Sequence, residues 1–400
     1  MSRELAILTE NGRIKPNVTD ALGPHNLPFV EYCRQAHEDM WGVIKVKNIP
    51  YSVSRQEILA FLGRNARLVP EQDGEAVHII MERVTSKTLD AYIEFASFDE
   101  AVAAVARFET NRTGGRGGRL GQRHVEVEVS SQDALMKDLF PKAKNVSWRN
   151  GRPEIVPTNP NDLYNSGFTG FISREEIVML IKHVEAPQRS PFSKDCPQRP
   201  FECLISTLQK YPWYMVDFIT IEDRNLLFKA TVELLTLLID RINNEVDTIN
   251  LNTMLYKRVW KAALKCKGFT PTMKDDIVVS CEIDEMIAKE TCGIAPYAAH
   301  WKSLWTIGAK SNAPSDLVLC YISLLREASE SQKRNLSLAE QAAVGHDKHE
   351  FKLFGDLDKY IGHDGTKLAQ MTLAEVARAE WYAVELLLRQ ALTPAIEGGK

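Results

Sequence analysis

The sequence lacks the features that mark secreted and membrane proteins. Its seven cysteines are an odd number and form no C-x-x-C pair, which argues against a disulfide framework or a zinc finger and favours a reducing compartment. No apolar stretch reaches the roughly 18 residues of a membrane helix, because the longest, 226–239, is interrupted by Lys229 and Glu233. The first residues contain no apolar core of a signal peptide. We therefore expect a protein that is neither secreted nor embedded in a membrane.

The sequence also lacks the short motifs of common catalytic and cofactor sites. It contains no G-x-x-x-x-G-K-[ST], no H-E-x-x-H and no G-x-S-x-G. Histidine and aspartate cluster at 346–349 and 363–364, but no third ligand follows at a diagnostic spacing. Polar loop histidines explain that cluster more simply than a metal or hydrolytic site. We therefore predict no enzyme activity, no metal and no small-molecule cofactor.

Neither sign of charge is in large excess. The chain has 49 lysines and arginines against 53 aspartates and glutamates, which gives a formal net charge of -4. Any binding of nucleic acid must therefore be confined to a local surface. The 400 residues, of which 44% are hydrophobic and 26% charged, are enough for two or three domains of roughly 100–200 residues each.

Residues 43–129 show the hydrophobic pattern of a compact domain. Alternation of apolar and polar residues predicts strands at 43–47, 77–81, 89–95 and 124–129. Two capping boxes of the S-x-x-E type, beginning at Ser54 and Ser97, predict the starts of two amphipathic helices. The resulting order β-α-β-β-α-β in about 90 residues is the split βαβ arrangement of ferredoxin-like domains.

Three stretches of this domain resemble the RNA recognition motif (RRM), and more closely the quasi-RRM domains of the heterogeneous nuclear ribonucleoprotein F/H family. In that family the sequences KVRGLPW, GEAFVEL and GHRYIEV recur. Here the corresponding stretches are KVKNIPY at 45–51, LDAYIEF at 89–95 and GQRHVEV at 121–127. The resemblance implies an RRM domain that grips single-stranded RNA, guanine-rich in the family, with loops rather than with its sheet face. It covers less than a quarter of the chain.

The resemblance also implies positions for the RNA contacts. Lys47, Tyr51 and Arg123 match a basic-aromatic-basic clamp of the family, and His124 replaces a tyrosine. The sequence departs from the family at Asn48, where the family has the first glycine of its turn. The arginine-containing loop is also longer here.

Strand alternation assigns the remaining candidates to two faces of the sheet. Seven apolar residues are predicted to face the core: Ile44, Val46, Ala91, Ile93, Phe95, Val125 and Val127. The residues between them then lie on an open face: Lys45, Asp90, Tyr92, Glu94, Glu126 and Glu128. Carboxylates dominate that face, which makes it a poor surface for phosphates. Lys45 and Tyr92 remain candidate RNA contacts. Lys45 and Asp90 stand where an RRM usually has aromatic rings, and Tyr92 is the one aromatic residue at these stacking positions.

The loop from Arg107 to Arg123 concentrates positive charge. It carries five arginines against the single acid Glu109, and the arginines are Arg107, Arg112, Arg116, Arg119 and Arg123. Glycines at its centre remove side-chain bulk, so guanidinium groups and backbone amides can approach a nucleic acid closely. We predict RNA contacts from Arg112, Arg116, Arg119 and Arg123.

Each of these candidates also has a purely structural explanation. Tyr51 follows a proline turn and would then cap the core. Tyr92 would pair across the sheet. The arginine-glycine loop would be a solvated insertion, as most runs of charge are.

The pattern divides the chain into five segments. Residues 1–38 are predicted to be a flexible leader, 39–132 the RRM domain, 133–170 a proline-containing connector, 171–395 a helical domain and 396–400 a tail. Capping boxes at Ser173 and Thr372 support the helical domain. Its main helices are predicted at 225–243, 253–265, 274–288, 315–329, 336–344 and 372–392.

We therefore interpret the chain as an α+β protein, with a ferredoxin-like βαββαβ RRM domain followed by a mostly α-helical domain. Its predicted function is to bind single-stranded RNA through loop residues at the edge of the RRM domain, while the helical domain docks on it or recruits protein partners. The alternative is a protein-interaction scaffold whose RRM fold no longer binds RNA, which the acidic sheet face favours. An enzyme in the helical half is a third hypothesis. Proteins of this kind act in ribonucleoproteins and RNA processing, so we expect the nucleus, the cytoplasm or both.

Overall fold

The computed structural model describes residues 1–113, 118–157, 167–293, 295–331, 351–362 and 365–393. Its strands are β1 (Phe29–Glu31), β2 (Gly42–Lys47), β3 (Val77–Glu82), β4 (Lys87–Phe95), β5 (Arg119–Leu120), β6 (Arg123–His124), β7 (Glu126–Ser130), β8 (Val146–Arg149), β9 (Arg152–Ile155) and β10 (Ile307–Ala309). Its helices in the first half are α1 (Arg3–Leu8), α2 (Val18–Ala21), α3 (Arg55–Leu62), α4 (Phe98–Thr113), α5 (Gln132–Leu139), α6 (Arg174–Glu185) and α7 (Pro191–Asp195). Those in the second half are α8 (Arg199–Lys210), α9 (Ile221–Asn243), α10 (Thr253–Lys265), α11 (Pro271–Ser280), α12 (Glu285–Cys292), α13 (Ser315–Ser329), α14 (Leu357–Ile361) and α15 (Leu373–Leu392).

The chain forms two compact units. The sheet unit comprises Ala36–Trp213 and Asp223–Cys266, and the helical unit comprises Met1–Gln35, Tyr214–Glu222 and Lys267–Lys400. These boundaries differ from the predicted domains, because helices predicted for a separate domain from residue 171 onward share a unit with the RRM-like sheet. Every helix in the described residues is too short or too polar to cross a membrane.

The sheet unit contains the predicted α+β ferredoxin-like arrangement. Its four antiparallel strands lie in the order β3-β4-β2-β7. The seven apolar residues predicted for the core are all buried in one cluster. This cluster also contains Ile58 of α3 and Phe108 of α4. Val129, two residues beyond the buried Val127, is 39% exposed near the end of β7.

The other face of the sheet is covered at its centre, which corrects the expectation of an open face for Tyr92 and Glu94, whereas Glu126 and Glu128 on β7 are exposed as expected. The side chains of Tyr92 and Glu94 on β4 are fully buried. Tyr92 donates a hydrogen bond from its hydroxyl to Asp138 of α5 at 2.5 Å. His78 on β3 is likewise buried and is hydrogen-bonded to Ser206 of α8 at 2.9 Å. Helices α5 and α8 therefore close the surface on which an RRM fold would present its central strands.

A buried polar network joins α8 to the sheet. Lys210, at the last position of α8, donates to Glu94 at 2.5 Å and to Asp39 at 2.7 Å. Gln132 donates to the same Glu94 carboxylate at 2.5 Å. Because a carboxylate only accepts, Nε2 of His78, 3.0 Å from Glu94, must carry a proton. Burial alone would raise the pKa of Glu94, but the Lys210 ammonium and the His78 hydrogen bond outweigh it and lower that pKa to about 2.

The helical unit contains ordered structure where a flexible leader was predicted. Strand β1 pairs antiparallel with β10, so Phe29 lies opposite Ala309. Leu8, Ala21 and Phe29 are buried in one cluster with residues of α13 and α15. The apolar residues of this segment were scattered too irregularly to reveal a periodicity, because each contributes singly to a core built by distant helices.

The predicted helices of the second half agree closely with the structure. Helices α10 and α13 have the predicted bounds, and complete capping boxes begin α6 at Ser173 and α15 at Thr372. The helix predicted at 274–288 is two helices, because Glu282 adopts a φ of 50° and Asp284 caps a new helix. The helix predicted at 336–344 and the histidine clusters at 346–349 and 363–364 lie outside the described residues.

A buried carboxylate in the helical unit fixes the segment before β10. Glu380 of α15 is fully buried and accepts from the amides of Trp305, Thr306 and Ile307 and from the Thr306 hydroxyl. Burial raises the pKa of Glu380 to about 7, although these hydrogen bonds lower it. The carboxyl group therefore titrates near neutrality.

We predict that replacing Lys210 destabilises the sheet unit. Lys210→Met leaves the Glu94 carboxylate buried without its ammonium partner, which should cost about 3–5 kcal/mol in the free energy of unfolding. Urea denaturation at pH 7 measures this loss. Lys182→Met is the control, because Lys182 forms an exposed ion pair with Glu185 and should cost at most about 0.5 kcal/mol. Equal costs for both variants would contradict a structural role for the network.

We predict that Glu380 makes the protein less stable as the pH rises. The folded-state pKa of about 7 lies above the ordinary value of 4.5. Its stabilising contribution is therefore complete below the unfolded-state pKa and is lost as the pH approaches 7, by up to about 3 kcal/mol. Urea denaturation of the wild type and Glu380→Gln from pH 5 to 8 measures the difference between their slopes. Parallel profiles would refute the prediction, and Glu385→Gln, an exposed change on the same helix, should follow the wild type.

Candidate nucleic-acid interface

The candidate interface begins where β2 ends in a tight turn. Asn48 adopts a φ of 59°, in the left-handed region that glycine and asparagine tolerate best. Asparagine at this position therefore permits a left-handed backbone conformation, as the glycine of the quasi-RRM family would. The Asn48 side-chain amide also donates to the backbone carbonyl of His124 at 2.8 Å, which ties the turn to β6.

Tyr51 and Arg123 stack at this turn. The guanidinium carbon of Arg123 lies 4.9 Å from the centre of the Tyr51 ring, and Arg123 donates to the Ile49 carbonyl at 3.2 Å. The Tyr51 residue is 38% exposed, and Phe192 of α7 supports its ring edge-on with centroids 5.5 Å apart. An aromatic ring and a guanidinium, both partly exposed and held in place, form a surface on which a planar base can stack.

The short hairpin β5–β6 adds two further predicted residues to this edge. Arg119 and His124 are both exposed, and Nε of Arg119 lies 3.0 Å from Nε2 of His124. Within the described residues, neither Arg119 nor Arg123 forms an ion pair with a carboxylate. The structure therefore places four of the predicted residues, Tyr51, Arg119, Arg123 and His124, at the same end of the sheet. We call these four residues the loop edge.

The other predicted RNA contacts are paired with carboxylates, lie beneath α5 or fall outside the described residues. Lys47 at the end of β2 forms an ion pair with Glu128 at 2.7 Å, and Arg112 in α4 lies 3.4 Å from Glu109. Arg116 lies outside the described residues. Lys45 contacts Asp90 at 3.2 Å and Asp138 at 2.9 Å beneath α5, next to the buried Tyr92. Tyr92 is fully buried, and the Lys45 side chain is 16% exposed and paired with two carboxylates, so neither joins the exposed loop residues.

Helix α8 anchors the loop that carries Tyr51. Arg199 is fully buried and donates to the carbonyls of Tyr51 at 3.2 Å and Val53 at 2.5 Å. The Tyr51 carbonyl also accepts from Thr88 at 3.1 Å and from the Cys196 thiol at 3.0 Å. Glu202 neutralises Arg199 at 2.5 Å. Sequence reasoning missed Arg199 because the loop groups that it binds are backbone carbonyls, which leave no sequence signal.

A cleft of about 600 Å³ adjoins Tyr51 and Arg123. It lies between the turn that joins β3 to β4 and the segment after α5. Its lining includes Lys87, Arg83, Leu89, Asp90 and Lys142. Lys87, which the sequence analysis did not single out, thereby shares a concave surface with the predicted clamp residues.

A buried serine-histidine-glutamate row also occurs in the sheet unit. Ser206, His78 and Glu94 are linked by contacts of 2.9 and 3.0 Å, the order that nucleophilic catalysis uses. However, His78 and Glu94 are 0% exposed and Ser206 is 2% exposed, so no substrate reaches the serine. The row stabilises the packing of α8 on the sheet. Among the described residues, no group of histidine, cysteine, aspartate and glutamate is arranged to hold a metal ion.

Two family models match parts of the chain, and both are described as domains of unknown function. DUF8400 matches residues 40–150, and DUF8399 matches residues 168–283. No curated protein matches the chain. Among solved structures, the crystal structure of the Glorund qRRM2 domain is similar, with 26% identity over 24% of this chain and 98% of that chain and a TM-score of 0.20. These matches name no activity for either segment.

We predict that Arg199 keeps the Tyr51 loop ordered. Arg199→Lys keeps a positive charge beside Glu202 but loses the Nη2 group that donates to the carbonyls of both Tyr51 and Val53. Hydrogen bonds from a charged group contribute about 1.5–3 kcal/mol, so amide exchange in residues 48–54 should accelerate about tenfold or more. Hydrogen-exchange mass spectrometry measures it. Arg189→Lys, at an exposed position, is the matched control, and unchanged exchange in both variants would rule out the anchor.

Proposed function

We propose that the protein binds single-stranded RNA at the loop edge. The observation that carries the proposal is the stack of Arg123 on the partly exposed Tyr51, at 4.9 Å, beside a second arginine that has no carboxylate partner among the described residues. Bases in single strands are free to stack on aromatic rings and guanidinium planes, whereas bases in a duplex are not. The two arginines would contact phosphates on either side of the stacked base.

RNA is favoured over other anions by two further features. The resemblance of residues 45–51, 89–95 and 121–127 to quasi-RRM domains supports RNA, and it makes guanine-rich sequences the first to test. The anchored loop supports tight positioning, because a platform fixed before binding loses little conformational entropy. Lys47, Arg112 and Arg116 would extend the contacts along the strand. We further propose that the protein acts on RNA in the nucleus, the cytoplasm or both.

The closed sheet face favours a second candidate function. Because α5 and α8 cover the central strands, RNA cannot reach the surface that RRM folds commonly use to bind it. A protein-interaction scaffold would retain this fold for its stability alone. In that case the exposed arginines of the loop edge would bind an acidic protein partner. In either case we propose a binding protein rather than an enzyme.

Fluorescence anisotropy of the full-length chain with labelled RNA tests the proposal. Guanine-rich, uridine-rich and mixed single strands should be titrated at two salt concentrations, beside a DNA of the same sequence. Tyr51→Ala should weaken binding by about 1–3 kcal/mol, which is the contribution of one stacked base. Arg119→Ala/Arg123→Ala should also reduce the slope of log K against log salt by about 1.4, or about 0.7 for each phosphate that is no longer neutralised.

Two exposed residues provide matched controls. Tyr382 is 69% exposed and lies in the helical unit, and Arg64 is exposed just beyond the end of α3 that is farther from Tyr51. Tyr382→Ala and Arg64→Ala should bind RNA like the wild type. Absence of binding to every strand, with normal circular dichroism, would exclude the RNA proposal and favour the interaction scaffold.

A further inference from the structure

The cleft beside Tyr51 has the size and lining of a small-ligand site. Its volume of about 600 Å³ falls within the roughly 300–1,000 Å³ of such sites. Tyr51 and Arg123 line one part of it, and the apolar side chains of Ile49, Met81 and Leu89 line another. A planar aromatic group next to an apolar surface suits the base and sugar of a nucleotide.

The acidic groups of the cleft are compensated within the protein. Asp138 accepts from Lys45 and Tyr92, and Asp90 lies 3.2 Å from Lys45. The other two carboxylates have partners as well: Glu176 binds Arg83 at 3.2 Å and Ser173 at its helix start, and Glu82 accepts from Thr85 at 2.6 Å. Three of the four carboxylates are therefore paired with cations of the protein, and Glu82 is bonded to a neutral hydroxyl.

The basic groups of the cleft are less completely compensated. Within the described residues, Lys87 and Arg123 have no carboxylate partner. Arg83 is 3% exposed; its two terminal nitrogens bind Glu176 and Thr207, but its Nε has no hydrogen-bond partner in the described part of the chain. Lys142 forms only an exposed ion pair with Glu175 at 3.4 Å. The lining thus offers donors and positive charge to an anion.

We propose that this cleft is a nucleotide site, in which the base stacks on Tyr51 and the phosphate is held by Lys87. The proposal rests on the proposed function for its claim that the nucleotide is part of a bound RNA strand. The strand would run from Arg119 and His124 on the β5–β6 hairpin, across the Tyr51–Arg123 stack, into the cleft. Lys87, at the start of β4, then contributes a phosphate contact that lies outside the loop edge.

Mononucleotides test the cleft independently of RNA binding. Saturation-transfer NMR with the full-length chain should compare the four 5′-nucleoside monophosphates with the matching nucleosides, and inorganic phosphate, which has no observable proton, should be added as a competitor. We expect the nucleotides to bind about tenfold more tightly than the nucleosides, which is the effect of one charge-assisted hydrogen bond. Lys87→Ala should abolish that difference, whereas Tyr51→Ala should weaken nucleotides and nucleosides alike.

Lys144→Ala is the matched control, because Lys144 is an exposed lysine close to Lys142 that does not line the cleft. It should leave nucleotide binding unchanged. Equal affinity for nucleotides and nucleosides in the wild type, or an unchanged preference in Lys87→Ala, would overturn the proposed site. An equal reduction in Lys87→Ala and Lys144→Ala would also overturn it, because the effect would then be general electrostatics.

Anisotropy with single-stranded RNA separates this inference from the proposed function. Lys87→Ala should weaken RNA binding about tenfold and lower the salt slope by about 0.7. RNA binding that depends on Tyr51 and Arg123 but not on Lys87 would refute the cleft and leave the proposed function intact. Nucleotide binding that depends on Lys87, together with no RNA binding, would refute the proposed function and support the cleft as a nucleotide site.

Discussion

The packing of α8 on the sheet, with side-chain bonds to both ends of β4, is the constraint on which the sheet unit depends. Lys210 at one end of the helix binds Glu94, and Arg199 at the other end donates to Thr88 at 3.1 Å. Eleven helical steps span about 16 Å, and the six strand steps from Thr88 to Glu94 span about 20 Å. The two lengths are close enough that one helix contacts both ends of one strand. The Lys210–Glu94 ion pair and the Arg199–Thr88 hydrogen bond both require α8 to lie on this face of the sheet, which selects this packing over other positions of the helix.

This packing decides where the RRM-like fold can meet a ligand. The positions that would stack bases on the sheet are filled by Lys45, Asp90 and Tyr92, and Tyr92 is bonded to α5 through its hydroxyl. Opening the face would separate the buried charges of Glu94 and Lys210, which is far more costly than breaking an exposed ion pair. The part of the sheet face around Tyr92 and Glu94 is therefore a permanent interior surface. The surfaces left for recognition are the turns at the end of the sheet, where β2 ends and β4 begins.

The sequence predicted the parts of this structure that follow from local patterns. Strand alternation identified the buried residues from Ile44 to Val127, and S/T-x-x-E motifs identified the starts of α3, α6 and α15. It did not predict the cover on the sheet, because amphipathicity shows that α8 buries a face but not against what. Arg199 and Lys210 illustrate the reason. In the sequence they resemble surface charges, and only the fold supplies the carbonyls and carboxylates that make their burial favourable.

The same helix that closes the sheet face also builds the candidate interface. The carbonyl of Tyr51 receives donors from Arg199, Cys196 and Thr88, so the loop is held from the side that faces the protein. The Tyr51 ring and Arg123 are left on the outer side, partly exposed. An RRM-like domain without α8 would keep its turn sequence but lose the fixed geometry of the ring. The sequence of residues 45–51 places the aromatic residue in the turn, whereas a contact that fixes the position of this turn comes from far along the chain, at Arg199.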